Sequence, residues 1–460
     1  MNATVPIIDK IGVTIFHPGN SQWDFTFMLR SKLINEYWLF IACLLAGLIV
    51  IYFTLPMAEG FKFSNGKELL SFYIPLPVSM CFLIYSAWKQ PLSRKTILYA
   101  LLLFLLLIIP FYSFLLEPYE HYSRDDGFRY RIMANNIAQS KTLWGSDDLV
   151  YNTSRKVYLF QPGYRYYLAI WIGIFGEEKR LFQFFNMLLY FSSIAILLSC
   201  IQTKLKKGFI EKGILLFFVL SSAFVVKNIM MGLTEWLTIT LFILFCCAYL
   251  KNKRILAVCL LALVPFVRQN LLIASLLIFF WLLTQWPNWW KYAICYLLLL
   301  LLPVYHNLYY AGEWKFLSTY YNKDGYLVLE SGGSLFFQFI KTFFYKLLSY
   351  TGIGWATKNF WANAVSVLCI PFGTYLYIRC IQQLNGKSRQ FFLAITLSAI
   401  LPTLILGGNA YYPRFEWTSL MIAFLIYGLL ISKKLEEFSG FEDLPGGRQG
   451  NDGKLIPTIS

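Results

Sequence analysis

The sequence is short of charge: Asp, Glu, Lys and Arg make up 14% of it, against about 25% in an average soluble domain. With 58% hydrophobic and 19% aromatic residues, a string of soluble domains is excluded, and the bilayer is the natural solvent. Acid is scarcer still, with 24 Asp and Glu against 40 Lys and Arg. The basic excess would suggest nucleic acid in a soluble protein. Here the basic residues sit in short clusters between apolar runs, which is a topological pattern, and no nucleic-acid partner is expected. Histidine is almost missing, and His121 and His306, which lie near the expected outer face, lack HxxxH or HExxH spacing, so neither a metal nor any other cofactor is expected. All nine cysteines fall within or at the edge of apolar runs, which excludes a disulfide framework and a thiolate metal cluster. From Met1 to Ile34 there is no apolar core with a small-residue cleavage site, so the first membrane helix is expected to do the targeting.

Long apolar runs are what the chain does have. They read as about twelve spans, at 36–56, 70–88, 96–116, 181–201, 213–227, 231–250, 254–267, 270–285, 291–308, 361–380, 391–408 and 413–432. Alternating sides puts the short basic loops around Lys89, Lys204 to Lys212, Lys251 to Arg254, Arg379 to Arg389 and Lys433 on one face, which the positive-inside rule makes cytoplasmic. The fold class is then an all-α polytopic transmembrane bundle. Residues 1–35 form a cytoplasmic N-terminal segment, 36–95 carry two spans, 96–432 form one unit with outer loops at 117–180 and 309–360, and 433–460 form a disordered cytoplasmic tail. The run Phe160 to Phe175, broken early by Pro162-Gly163, is too short to cross and reads as an interfacial helix with Tyr164, Tyr166, Tyr167 and Trp171 at headgroup depth. Leu335 to Tyr350, interrupted by Lys341 and Lys346, reads as a second surface segment.

Ionisable residues at membrane helix ends are functional candidates by default. The densest run, Glu117 to Gly127, begins where the third span leaves the bilayer. Beyond it Phe128, Ile132, Met133 and Ile137 recur at helical spacing, with Arg129, Arg131, Asn135 and Asn136 on the other side, which predicts a surface helix from near Asp125. Ser123 with Asp126 three residues on also fits a capping box, and acids in a first turn favour the helix dipole. Capping and catalysis compete for Asp125 and Asp126. A second acidic pair, Asp147-Asp148 after Gly145-Ser146, reads as a turn.

The stretch Asp125-Asp126-Gly127-Phe128-Arg129-Tyr130, continued through Ala138 and followed by Phe160-Gln161-Pro162-Gly163-Tyr164-Arg165 and Phe175-Gly176, resembles the first outer loop of the GT-C glycosyltransferases. The protein O-mannosyltransferases, lipid A aminoarabinose transferases and arabinofuranosyltransferases are of this kind. Tyr309-Tyr310-Ala311-Gly312 with Ser318 to Lys323 looks like a loop motif of the arabinofuranosyltransferase branch, and Tyr412-Pro413-Arg414-Phe415 resembles the family's late Arg-aromatic element. The likeness covers 96–432. Two departures stand out: two extra spans precede the acidic loop, and Gly127 stands where some relatives carry a second acid.

The resemblance implies a membrane transferase using a polyprenyl-phosphate sugar donor and an envelope glycan or lipid-linked acceptor, with its active site on the outer face of the cell (inner) membrane. One carboxylate, Asp126 or Asp125, would accept the proton of the attacking hydroxyl while phosphate leaves with inversion. Asp126 is preferred, four residues before Tyr130. Arg268, Arg414 and Lys323 would hold the leaving phosphate. For both arginines anchoring of a helix end competes with that role, and for Lys323 simple solvation does. Glu235 would bind the acceptor or pair with a nearby arginine. Two other classes compete: an O-antigen polymerase or ligase, depending on outer-loop Arg and His, and a flippase, which would need midplane ionisable sites and internal repeats.

Overall fold

The computed structural model describes residues 75–108, 126–139, 162–176, 179–205, 208–230, 232–311, 364–406 and 414–442, with isolated positions at 314, 340, 343–344, 347 and 350. Among them every regular element is helical. They are α1 (Pro75–Lys89), α2 (Arg94–Ile108), α3 (Asp126–Gln139), α4 (Pro162–Phe175), α5 (Lys179–Leu205), α6 (Phe209–Met230), α7 (Glu235–Leu250), α8 (Arg254–Val267), α9 (Leu272–Leu283), α10 (Trp289–Leu300), α11 (Leu302–Ala311), α12 (Ala364–Gln383), α13 (Gly386–Leu406) and α14 (Arg414–Glu442). The span expected at 36–56 and nearly all of the 309–360 loop lie outside the described residues.

Three described helices are long and apolar enough to cross a membrane: Phe182–Ile201 and Phe209–Val226, each with mean hydropathy 2.0, and Arg414–Ser432 with 1.6. They belong to α5, α6 and α14. The neighbouring α7, α8 and α9 are apolar but shorter. α7 is the hub, packing on α5, α6, α8 and α14, with Trp236, Ile239, Phe242, Ile243 and Phe245 wholly buried. A helix apolar all round belongs inside a bundle, and this one is apolar all round.

Two turns set where the helices meet. α6 ends with Gly232 at φ +64°, the Gly232 N–H donating to the Ile229 carbonyl and the Leu233 N–H to the Asn228 carbonyl. This paired closure needs a left-handed residue, which glycine adopts without a Cβ clash. Asn252, at φ +56°, closes α7 in the same way through Asn252 N–H to Tyr249 and Lys253 N–H to Ala248. The chain therefore reverses within four residues at each end of α7, and Glu235 stands in its first turn.

The structure refines several expectations. The single helix expected at 291–308 is divided at Leu301 into α10 and α11, with Pro303 in the first turn of the second, where a missing N–H is harmless. α14 runs on to Glu442, into the segment expected to be a disordered tail. No glycine or proline interrupts Lys433 to Ser439, and Pro445-Gly446-Gly447 follows the last turn. α3 turns Tyr130, Met133, Ala134 and Ile137 into the protein, while Ile132 is only half-buried. In α4 Tyr164 is completely buried, edge-on to Tyr130 at 5.4 Å. Its partners are protein rings rather than lipid headgroups.

Candidate functional site

Three of the residues singled out in the sequence come together at one end of the bundle. Arg268 follows the last turn of α8 in an extended conformation (φ −145°, ψ 98°), which swings its side chain toward the start of α7. Its Nη1 lies 2.8 Å from Glu235 Oε1 and donates to Thr234 Oγ1 at 3.0 Å. Arg414, in the first turn of α14, brings Nε to 3.1 Å from the same carboxylate oxygen. Both guanidinium groups also face the Phe415 ring, Arg268 at 4.6 Å and Arg414 at 5.1 Å from its centre. Glu235 is 1% exposed and Arg268 about 4%, so the triad is taken out of water with two cations around one anion. Burial pulls the Arg268 guanidinium below its ordinary value while the Glu235 charge pushes it back up; it stays a cation, because guanidinium does not deprotonate in proteins.

The surroundings are polar and incompletely paired. Glu235 Oε2, Trp236 Nε1 and Gln269 Nε2 are buried without a hydrogen-bond partner among the described residues. Such atoms cost about 1–3 kcal/mol each unless something meets them. Glu416 is also buried in the first turn of α14, and Trp417 stacks on Phe224 at 5.8 Å, fixing α14 against α6.

The acidic-loop helix packs on α4 and is linked to this triad through rings. An aromatic chain runs from Tyr130 to Tyr164, from Tyr164 to Tyr167 and from Tyr167 to Trp236, the residue after Glu235. Tyr167 donates to Asn186 Oδ1 at 2.5 Å. Gly163 allows the contact between α4 and α8: a Cβ there would lie 2.8 Å from the Phe266 backbone. Tyr166 stacks on the Phe266 ring at 5.7 Å, just before Arg268.

Arg165 and His306 form a second buried group that sequence reasoning did not put at the site. Arg165 Nη1 reaches Met133 Sδ at 3.5 Å and Nη2 reaches His306 Nε2 at 3.5 Å. Arginine only donates, so Nε2 accepts and the His306 proton sits on Nδ1, which donates to the Tyr166 hydroxyl. One signal was available: a single arginine in the otherwise apolar, aromatic run Pro162 to Phe175 belongs where protein groups can receive it. Thr234 was missed because nothing local marks it, and the ring of Phe415, quoted only as part of the Arg-aromatic element, was given no role.

Asp126 opens α3. Asp125, Lys323, His121 and the Asp147-Asp148 pair lie outside the described residues. Among the described residues no group of three His, Cys, Asp or Glu side chains gathers that could hold a metal. Comparison with known proteins finds no matching family, no similar curated protein and no similar solved structure.

Proposed function

We propose that this chain is a multi-pass membrane glycosyltransferase that moves a sugar from a polyprenyl-phosphate carrier to an envelope glycan or lipid-linked acceptor, inverting the anomeric centre. The observation that carries the reading is the convergence of Arg268 and Arg414 on one carboxylate, to which the helix that Asp126 opens is linked by the ring chain from Tyr130 to Trp236. A leaving phosphate gains negative charge, and two guanidinium groups held out of water against a single acid are arranged to stabilise it. In this reading Glu235 positions both arginines, and the pairing accounts for it better than acceptor binding does. Asp126, or Asp125, takes the acceptor proton. The unpaired buried atoms of Glu235, Trp236 and Gln269 suit a hydroxyl-rich ligand. About twelve spans, both termini in the cytoplasm and an outward-facing site in the cell (inner) membrane complete the proposal.

A second reading draws on the Arg165–His306 contact: an O-antigen polymerase or ligase that depends on Arg and His. Both readings use a lipid-linked sugar, and they differ in which residue abolishes transfer. The test is transfer of radiolabelled sugar from a polyprenyl-phosphate pool by membranes containing the protein. Loss with Asp126→Asn and retention with His306→Gln supports the first reading; the opposite result supports the second. No transfer by the unaltered protein overturns both.

A further inference from the structure

The start of α6 carries a buried acid that the reading above does not use. Glu211 lies in the first turn of α6, and Glu235 follows the far end of the same helix, so the two acids belong to opposite ends of the bundle. α12 packs on both α6 and α14, and two glycines let the three helices come close. A Cβ on Gly213 of α6 would lie 2.6 Å from Leu376 of α12, and one on Gly373 of α12 would lie 2.6 Å from Phe217 of α6 and 2.9 Å from Leu420 of α14. This packing brings the last turn of α12 and the middle of α14 against Glu211. Tyr427 of α14 donates to Glu211 Oε1 at 3.2 Å and also points its hydroxyl at Gln383 Oε1 of α12.

Oxygens from three helices thus share one hydroxyl proton. Tyrosine has a single O–H to give, so when Glu211 receives it, the Gln383 oxygen faces the tyrosine oxygen with no hydrogen between them. Turning the Gln383 amide round would cure that contact but would do nothing for the carboxylate, whose Oε2 is buried without a hydrogen-bond partner. A Cβ on Gly208 would fall on that oxygen, so glycine is what lets the carboxylate fold back over the start of the helix. Among the described residues no basic side chain answers its charge. The ion pairs formed there both belong to Glu235, and Lys212, next in sequence, sets its ammonium over the Trp88 ring at 5.0 Å. The N-terminus of α6 offers about half an elementary charge, whereas a full negative charge taken out of water calls for a full positive one. Gln383 is exposed, so an ion can reach the group from the surface beside α12.

We infer that Glu211, Tyr427 and Gln383 form a binding site for a monovalent alkali cation, which ties α6, α12 and α14 together. The carboxylate supplies the charge, and the hydroxyl and amide oxygens complete the protein's share of the shell. Oxygen donors suit a hard cation. A single carboxylate balances a single charge, while Ca²⁺ gathers about six to eight oxygens and Mg²⁺ demands a near-ideal octahedron, and either would leave surplus charge inside the bundle. The site rests on the packing of these three helices and is independent of the transferase reading.

The experiment is a thermal melt of the full chain in detergent, in sodium, potassium or N-methylglucamine chloride at equal ionic strength. Sodium or potassium should raise the melting temperature above that in the organic cation, by about 1–2 °C for each tenfold rise in concentration beyond the dissociation constant. Glu211→Gln, nearly the same shape without the charge, should melt at one temperature in all three salts. It should also match or exceed the unaltered protein in N-methylglucamine, because no unpaired charge stays buried. Tyr427→Phe should move the rise to higher cation concentration. Equal melting of the unaltered protein in the three salts overturns the inference, whether or not any variant folds. So does a cation response that survives in Glu211→Gln.

Discussion

Arg414 and Arg268 touch the same oxygen of Glu235 but carry different burdens. Arg268 is the more buried, at 4% against 13% for Arg414, and it also bonds Thr234. Removing it leaves a buried carboxylate with half its compensation, and breaking a buried pair in this way costs about 3–5 kcal/mol. Arg268→Ala should therefore lower thermal stability in detergent as well as activity. Arg414→Ala should keep the fold and lose about 2–4 kcal/mol of transition-state stabilisation, with Arg414→Lys retaining part of it. Unchanged transfer in Arg414→Ala would leave that arginine as a helix anchor. Asp126 separates capping from chemistry: Asn keeps a hydrogen-bond acceptor at the helix start but has no carboxylate to take a proton. Asp126→Asn should insert and fold normally while transfer falls by about 10²–10⁴. Near-normal rates in both Asp126→Asn and Asp125→Asn would put the base elsewhere.

At the scale of elements the site depends on how helices end. Gly232 lets α6 stop and α7 start within a few residues, and alanine at φ +64° would cost about 1–2 kcal/mol from Cβ crowding. Gly232→Ala should lower the unfolding midpoint and weaken transfer, because Thr234 and Glu235 follow directly. Gly163 acts at the crossing of α4 and α8. Its Cβ would press on the Phe266 backbone, which cannot rotate away as a side chain could. Gly163→Ala should cost about 1–3 kcal/mol, the range for overpacking, and the loss of stability should come with displacement of Tyr166 and Arg268. A variant as stable and active as the original would show that α4 and α8 are not closely docked in the functional state.

For the whole molecule the question is which end faces out. Glu235, Arg268 and Arg414 meet at one end of the described bundle, and Leu250, Ile201 and Ile214 line a small apolar cavity at the other. A cysteine at Ser146 should react with an impermeant thiol reagent applied to intact cells, and one at the exposed Lys253 should not. The reverse pattern would turn the arginine cluster toward the cytoplasm and remove it from an outer-face donor.

The sequence alone determined the helical class, the position of most of the described helices and the location of Arg268, Glu235 and Arg414 at helix ends, because apolar runs and the basic loops are local signals. α8, expected at 254–267, occupies Arg254–Val267. It could not decide partners. That Glu235 takes two arginines rather than one, and that Arg165 meets His306, follow from contacts between residues 33 to more than 100 positions apart, and no periodicity encodes such pairings. The same holds for Gly163 and Gly428. In the sequence both are simply glycines, one just after a proline and one in an apolar helix. Only the packed bundle shows that the first admits a backbone and the second faces empty space, since that difference depends on which helix lies opposite.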